Sequence, residues 1–538
     1  MAGSPSIGSA GRVYRRIVPQ PVRAVASSRV PPQVRRKVKR GLVKTLNRRE
    51  ARLHGRALRL VRKSDLVASE RRTRTPDGRV GHVHSGLTAD LARRLDHDLV
   101  TAALDAAGIA WFAVPALDDR RICLAVEQQD KGQVRRVLRA LLEEHTGYVV
   151  SVSPSGDDTR MIPGSHLRAW KNYGKAKVVR LTWLRTEPTE NLWVGEEQGI
   201  EIEFWTVNNT LSYERLVGPR PNRVQRVVSR DAVGTEIGFD RLSGYCDIDG
   251  DREPTVTLEQ FDIPRLEEIT FPVDAVLLWE HPGAWGEELL RASLRSIHQY
   301  APWIDVVHVV ATAPVPDWLG GDEGRLSVVS AGAGADAHLQ HVPEIAEHFI
   351  LMRPGALLGR PVRPFDYFTP NGVTRPRRGR WTAEESFAPW TASAYSATGC
   401  AVTQVFAPGP QPYTCRVLNR LASTEAAAGP AVDGQTAPTL PGAHPGDGLV
   451  HHVAYASGLA DPSGETTVVL HAALPGIGQP LRRLLVRRDT QQLQFFGLGS
   501  DEALGTGGSE AVISFLHRYF PVASPFEHGN SEDPDNHT

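Results

Sequence analysis

A basic residue ends an apolar run in the second half of the chain. Residues 348–352 read HFILM and are followed at once by Arg353, Pro354 and Gly355. The run predicts a buried strand, and ligands of open α/β sheets collect at the carboxyl ends of such strands. A guanidinium there can bind a phosphate through two parallel N–H donors. The alternative is a surface arginine before a Pro-Gly turn, which the composition favours because only 8 of the 62 basic residues are Lys.

A second basic pair lies on a predicted helix over residues 285–300. Arg291 and Arg295 are one helical turn apart. Three apolar residues take the core positions of the same helix: Leu290, Leu294 and Ile297. Arg291 can also pair with Glu287 at i, i+4, an interaction worth about 0.3–0.5 kcal/mol at a surface. Spacing alone therefore does not choose between a phosphate site and a charged helix surface.

Paired carboxylates occur in the first half. The alternating segment IEIEFWTV puts Glu201 and Glu203 on one face of a predicted strand, where they could share a metal. A solvent-facing pair on an edge strand is the favoured interpretation, because Glu is usually exposed. The segment DIDGD, Asp247 to Asp251, has its glycine too early for a calcium loop, so a plain Asp/Gly turn is favoured there.

The elements that must position these residues alternate along the chain. Residues 76–265 mix strand and helix patterns and are predicted to form a smaller N-terminal α/β domain. From residue 266 to 527 the predicted order is strand 273–279, helix 285–300, strands 305–312 and 325–330, helix 338–348 and strand 349–352. This order is typical of a doubly wound, mostly parallel sheet. Residues 423–448 are predicted to be a flexible loop, and residues 528–538 a disordered tail.

The charge of the chain is divided unevenly. The net charge is +1 over 538 residues, but residues 1–63 hold 18 Lys or Arg and a single acid, Glu50. We treat residues 1–75 as a basic, partly helical arm, since apolar residues recur every four positions: Val34, Val38, Leu42 and Leu46. Such a helix can dock on an anionic membrane surface or pack against the acidic body. Nucleic acid is the less favoured partner, because the arm lacks stacking aromatics and no recognition motif follows it.

The sequence contains few signals for membrane insertion, secretion or disulfide formation. No window approaches the roughly 20 apolar residues that a membrane span needs, and the N-terminus lacks the apolar core of a signal peptide. The four cysteines have neither zinc spacing nor close pairs. We therefore expect a cytoplasmic protein, peripheral to the inner face of the membrane if the arm docks there.

Several phrases together resemble the Stealth family of bacterial sugar-phosphate transferases, which is similar to the catalytic subunit of N-acetylglucosamine-1-phosphotransferase. FPVDAVLLW resembles the family's first region, RASLRSIHQYAPWIDVVHVVA through LGRPVRPFDYF its second, LVHHVAYASG part of its third and FLHRYFPVASPFE its fourth. They occur in family order over about residues 271–527. The resemblance implies transfer of hexose 1-phosphate from a nucleotide diphosphate sugar to a polysaccharide hydroxyl in cell-surface polysaccharide synthesis.

The resemblance also implies roles for particular residues. In the family, the helix after the first strand carries basic residues near the donor, so Arg295, Ser296 and Arg291 are expected to contact the diphosphate, together with Arg353 and Arg360. His338 and His451 match family histidines and could act as bases for the acceptor hydroxyl, with Arg295 also placed among the catalytic residues. His452 matches as well.

The acidic motifs of the family are replaced in this chain. Trp279 is kept, but His281 and Ala284 stand where two aspartates are usual, and Arg353, Pro354 and Gly355 replace Asn-Asp-Asp. Two further departures have the same character: Pro408 for a usual His, and Leu498 to Ser500 for Leu-Asn-Asp. Mg²⁺ or Mn²⁺ is expected for the family, yet its ligands are lost, because hard cations need oxygen ligands.

Two hypotheses follow. The chain is either a working sugar-phosphate transferase that uses cations and histidines, or an inactive homologue. An inactive homologue would bind nucleotide sugar, glycan or an intact partner transferase. Loss of one key electrostatic group typically costs a 10²-fold or greater drop in rate.

Overall fold

The structure is a computed structural model. It describes residues 72–75, 78–118, 120–152, 159–195, 197–208, 214–232, 234–238, 242, 254–263, 265–280, 283–320, 324–332, 339–353, 355–381, 389–407, 409–423, 445–464, 467–471, 477–489, 493–499 and 506–528. The predicted arm helix, the Asp/Gly turn at Asp247 to Asp251, residues 424–444 and the tail from residue 529 lie outside these ranges. None of the described helices has both the length and the hydropathy to cross a membrane.

The described part of the first half consists mainly of strands, with two amphipathic helices among them. The strands are β1 (Arg72–Arg74), β2 (Val80–Val83), β3 (Trp111–Val114), β4 (Ile122–Glu127), β5 (Tyr148–Val152), β6 (Thr159–Pro163), β7 (Val178–Thr182), β8 (Arg185–Thr186), β9 (Trp193–Val194), β10 (Ile200–Asn208), β11 (Arg215–Val217), β12 (Val227–Ser229), β13 (Gly234–Gly238) and β14 (Pro254–Leu258). The helices are α1 (Ala89–Ala106), which the Thr88 side chain caps, and α2 (Lys131–Glu144).

These strands form two sheets. The larger follows the order β13-β14-β3-β4-β10-β7-β5-β6, with β11 paired to β10 and β12 to β11, and the smaller is β1-β2-β8-β9. Strand β10 is central, parallel to β4 and antiparallel to β7. Its residues Ile200, Ile202 and Phe204 share a core with α1 and α2. Because side chains alternate along a strand, Glu201 and Glu203 face the other side.

The second half contains further strands and helices. The strands are β15 (Val273–Trp279), β16 (Val307–Ala311), β17 (Leu326–Ser330), β18 (His348–Met352), β19 (Ala356–Leu358), β20 (Arg378–Trp381), β21 (Gln404–Phe406), β22 (Gln411–Thr414), β23 (Thr467–His471) and β24 (Phe495–Gly499). The helices are α3 (Ala284–Tyr300), α4 (Pro389–Thr398), α5 (Cys415–Ala422), α6 (Pro445–Ala456), α7 (Gly478–Asp489) and α8 (Thr506–Tyr519).

The main sheet of this half has the order β17-β16-β15-β18-β22. Strands β17, β16, β15 and β18 run parallel, and β22 is antiparallel to β18. Buried side chains cover both faces: one face packs on α3, α7 and α8, and the other on Leu339, Tyr413 and Leu418. The predicted α/β class with a doubly wound, mostly parallel sheet is confirmed. A smaller sheet, β19-β24-β23, and the hairpin β20-β21 flank it.

The predicted helix over residues 338–348 is wrong. Only a 3-10 turn at Leu339–His341 forms, and the chain then bends before β18. Pro343 removes a backbone N–H donor, and Glu344 adopts a left-handed backbone with φ 60°. Both features end a helix, although the apolar spacing of the segment is helical.

The two halves contact each other directly. Val522 joins a buried apolar cluster with Leu87, Ala92, Leu192 and Val194. Arg488 of α7 donates from Nη2 to the backbone oxygen of Asn191 at 2.6 Å.

Candidate functional site

The carboxyl ends of β15 and β18 lie side by side. Leu277 is paired with Met352 in the parallel register, so Trp279 and Arg353 leave their strands at the same edge of the sheet. Trp279 is buried and donates from its indole nitrogen to the oxygen of Pro314 at 2.9 Å. Glu280, the next residue, is exposed. This edge is where an open parallel sheet binds its ligands.

The turn after β18 contacts β24, in which Leu498 begins the segment that replaces the family's Leu-Asn-Asp. Leu498 donates its backbone N–H to the oxygen of Gly355 at 2.9 Å. Gly355 has a left-handed φ of 81°, and a Cβ there would lie 2.2 Å from the oxygen of Leu498. The close approach therefore requires glycine. Two motifs in which the family carries acids thus meet at one strand end.

The segment that follows Pro408 reaches the same edge through β22. Gln411 pairs with Leu351 in the antiparallel register, two residues before Arg353. The Gln411 side-chain oxygen accepts the backbone N–H of Arg377 at 3.1 Å, and its amide donates to the oxygen of Ala407. Residues distant in sequence, among them Trp279, Arg353, Gln411 and Leu498, are brought to this edge.

Arg377 is a residue that the sequence analysis missed. It is fully buried, and its guanidinium lies 3.8 Å from the ring centre of Phe495 and 4.4 Å from that of Tyr367. Its Nη1 donates to the oxygen of Pro410. Burial raises the pKa of Tyr367, which the adjacent Arg377 opposes. Nothing in the sequence signals this position, because arginines are frequent and only tertiary contacts bury this one.

Arg295 and Arg291 contact the end of the described chain. Arg295 donates from Nε and Nη2 to the two carboxylate oxygens of Glu527 at 2.8 and 2.7 Å, and from Nη1 to the oxygen of Phe520 at 3.1 Å. Arg291 lies over the ring of Trp318 at 4.3 Å, with Nε 3.4 Å from Glu527. It also pairs with Glu288 at i, i−3, and not with Glu287 as the surface alternative had it.

Ser296 faces the interior. Its side chain is fully buried and donates to the oxygen of Ser293 at 2.8 Å, while Leu358 donates to it at 3.4 Å. The contact joins α3 to β19. The polar atoms of Ser296 are therefore engaged within the protein.

Arg360 lies away from the strand end of Arg353. Val362, two residues later, donates its N–H to the oxygen of Tyr300 at the last turn of α3, which runs back from the β15 end. Arg360 lines a small cavity of about 30 Å³ between the two halves, together with Gln299, Glu197 and Arg488. The structure does not bring it together with Arg353.

The histidines are also separated. His451 is buried on α6 between the rings of Phe406 and Tyr413, at 5.1 and 4.9 Å. His452 lies 3.1 Å from the oxygen of Cys400 through Nε2. His338 is outside the residues that the structure describes.

The paired carboxylates of β10 were wrongly assigned to a solvent-facing edge. Glu201 and Glu203 are 4% and 2% exposed on a central strand. Arg220 contacts both, and Arg180 donates from Nε to Glu201 at 2.7 Å. Burial opposes ionisation, but the charges of Arg220 and Arg180 outweigh it and hold the pKa of Glu201 below its usual value. Arginines thus take the oxygens that a metal would need.

The divalent metal expected for the family does not fit the described side chains. Over the ranges given above, no group of three or more His, Cys, Asp or Glu side chains is placed to hold a metal ion. At the strand end, Glu280 is the single carboxylate beside Trp279, Arg353, Gly355 and Leu498 among the residues that the structure describes, and one carboxylate does not make a divalent-metal site.

Comparisons with known proteins identify close relatives. No family model matches the chain. The chain is 68% identical to an exopolysaccharide phosphotransferase of Streptomyces coelicolor over 541 residues, covering 100% of each protein. It is 27% identical to a second such phosphotransferase of that organism, over 83% of this chain and 92% of the relative. It is 22% identical to the exopolysaccharide phosphotransferase CpsY of Mycobacterium tuberculosis, over 84% and 92%.

Among solved structures, the galactosyltransferase LgtC in complex with donor and acceptor sugar analogues aligns with a TM-score of 0.27 and 11% identity, over 46% of this chain and 96% of that chain. Full-length identity of 68% to a phosphotransferase, together with the motif order, establishes the relationship. The chain belongs to the family of Stealth-type exopolysaccharide phosphotransferases.

Proposed function

We propose that the protein transfers hexose 1-phosphate from a nucleotide diphosphate sugar to a hydroxyl of a polysaccharide acceptor. The observation that carries this proposal is the 68% identity, over the whole of both chains, to a relative named exopolysaccharide phosphotransferase. The edge formed by β15, β18, β22 and β24 is the proposed donor site, because ligands of parallel sheets bind at carboxyl ends.

The reaction defines what the site must supply. The acceptor oxygen attacks the phosphorus that carries the hexose, a new P–O bond forms, and the bond to the nucleoside monophosphate breaks in line with it. The hydroxyl proton passes to a base, and the charge on the phosphates must be stabilised by cations. The products are a sugar phosphodiester and a nucleoside monophosphate.

We assign these tasks to residues at or near the strand end. Arg353 is the proposed contact to a phosphate oxygen, because a guanidinium presents a fork of N–H donors. Glu280 is a proposed base because it is exposed directly after Trp279. His338 is the second proposed base. His451 remains a third, although the rings of Phe406 and Tyr413 enclose it.

The other predicted donor-binding residues are proposed to act without contacting the donor. We propose that Arg291, Arg295 and Ser296 hold α3 in place beneath the donor, since their polar atoms contact Glu527, Phe520 and Ser293. Arg360 is proposed to line the cavity between the two halves and to have no contact with the donor.

We also propose the wider organisation of the protein. Residues 76–265 and 266–527 are taken as two domains, and residues 1–75 as a basic arm that docks the protein on the inner face of an anionic membrane. The amphipathic spacing and positive charge of residues 31–63 support the docking.

The test is direct. Purified full-length protein is incubated with UDP-hexoses and a polysaccharide acceptor, with and without Mg²⁺ or Mn²⁺, and UMP and phosphodiester are measured. Acceptor-dependent formation of both products is expected. Tight binding of nucleotide sugar without turnover under all these conditions would contradict the proposal and support the inactive homologue instead.

A further inference from the structure

We propose that Arg377 is a fixed, buried cation of the donor site, and that its charge holds the phosphates of the donor at the carboxyl end of β18. The nature of the anion rests on the proposed function. The presence of the charge does not. Arg377 lies between the segments that resemble the second and third family regions.

Register places the Arg377 guanidinium next to the strand end. Its Nη1 donates to the oxygen of Pro410, the residue before Gln411. Gln411 pairs with Leu351, so Pro410 lies beside the last residues of β18, immediately before Arg353. The ring of Phe495, the first residue of β24, covers the guanidinium from one side. The contact with Pro410 therefore places the charge beside the end of β18, close to Arg353.

Arg377 differs from two buried arginines of the first half, Arg185 and Arg180. Arg185 is paired with Asp96, and Arg180 with Glu201. Within the described ranges, no acidic side chain forms an ion pair with Arg377, and its Nε and Nη2 have no hydrogen-bond partner. Burying a charge without a counter-ion is costly, and an arginine cannot escape the cost by losing its proton. The unmatched charge therefore points to an anion as its counterpart.

Two aromatic rings make such a charge tolerable. Phe495 and Tyr367 flank the guanidinium at 3.8 and 4.4 Å, within the range of cation–π attraction. The rings also keep water away, so the field of the charge is screened less than at a surface. A cation held rigidly in this way provides positive potential at an edge where no group of three or more possible metal ligands is found among the described side chains.

A purely structural role would not need the charge. The Pro410 oxygen requires a single N–H donor, and the space between two rings can be filled by an apolar or amide side chain. Arg378, the next residue, provides a matched control, because it is exposed and contacts the oxygen of Ser463 at 3.4 Å.

The experiment measures binding of inorganic pyrophosphate, and separately of UDP, to the full-length protein by calorimetry at several salt concentrations. The variants are R377M, R377Q, R377K and the control R378Q. R377Q keeps an N–H donor for Pro410 and guards against misfolding of R377M. Circular dichroism and thermal melting confirm that each variant is folded.

We expect R377M and R377Q to bind pyrophosphate about tenfold or more weakly and with a smaller salt dependence, as loss of a poorly screened charge predicts. R377K should stay within about threefold of the wild type, and R378Q should not change. Equal binding by wild type, R377Q and R377M would overturn the inference, as would no binding of pyrophosphate by the wild type. Turnover is measured apart from binding, so pyrophosphate binding without transfer would contradict the proposed reaction only.

Discussion

Glu527 accepts hydrogen bonds from Arg295 through both of its carboxylate oxygens, at 2.8 and 2.7 Å, with 1% of its side chain exposed. The pair ties the last described segment to α3, the helix that follows the first strand of the sheet. The segment that contains Glu527 is therefore fixed to the middle of α3, the helix whose first residue, Ala284, follows β15 in the chain.

The first prediction concerns this pair. Removing one partner of a buried ion pair leaves the other charge uncompensated, so E527Q should lower the free energy of unfolding by about 3–5 kcal/mol. Urea denaturation measures it. The control is E143Q, which breaks the surface pair of Arg139 and Glu143 and should cost about 0.5 kcal/mol or less. Similar losses for both variants would contradict the expectation.

The second prediction concerns pH. Burial, followed by the charge of Arg325, lowers the pKa of His298 on α3 to about 4 from an ordinary 6.5. The unfolded chain binds this proton at higher pH than the folded chain, so the contribution is complete above pH 6.5 and is lost as pH falls toward 4. H298Q should flatten the pH dependence of the unfolding free energy within that window. A slope unchanged from the wild type would refute this.

The third prediction distinguishes two costs of replacing Gly355: the strain of a left-handed backbone and the steric clash of a Cβ atom. Gly355 and Gly458 have similar left-handed φ values of 81° and 70°, but only Gly355 has a neighbour that a Cβ would meet, the Leu498 oxygen. G458A should cost about 1 kcal/mol, and G355A about 2 kcal/mol more, since backbone must shift. Thermal and urea denaturation of both variants give the difference. Equal costs would show that the close approach at Gly355 relaxes freely.

The fourth prediction concerns Arg353. R353Q removes the proposed donor contact and should lower kcat/KM for a UDP-hexose about 10²-fold, while R353K retains part of it as a point charge. R482Q, at an exposed arginine of α7, is the control. Unchanged UMP release by R353Q would remove this residue from the site.

The fifth prediction concerns the basic arm. Deleting residues 1–71 should abolish binding to vesicles that contain anionic phospholipid, because each basic residue near such a surface contributes about 1 kcal/mol. Vesicles of neutral lipid serve as the control. Co-sedimentation that is identical with and without the arm would show that it does not dock the protein.

Local pattern was sufficient for the main elements. The alternation of apolar runs and helical spacing predicted β15, α3 and β16 within a residue or two, because buried parallel strands and amphipathic helices carry strong periodicity. The segment at 338–348 carried the same spacing, but Pro343 and the left-handed Glu344 prevented a helix. The spacing of apolar residues gives little information about backbone requirements of this kind.

The burial of particular charged residues depends on contacts between residues that are distant in sequence. Glu201 and Glu203 are predicted to lie at a surface because glutamate side chains are usually exposed. In the structure both are buried and form ion pairs with Arg220, and Glu201 also with Arg180. The sequence does not distinguish Arg377 from the many other arginines, because its burial depends on contacts with Tyr367 and Phe495. Which charged residue is enclosed is set by partners far away in sequence.

The meeting of Trp279 with Arg353, Gln411 and Leu498 has a consequence for synthesis of the protein. A ribosome releases the N-terminal residues first, at about 5–20 residues per second. The contact of Leu498 with Gly355 cannot form until position 498 has left the exit tunnel, and Glu527 reaches α3 still later. Chains that stop before Leu498 therefore cannot complete the proposed donor site.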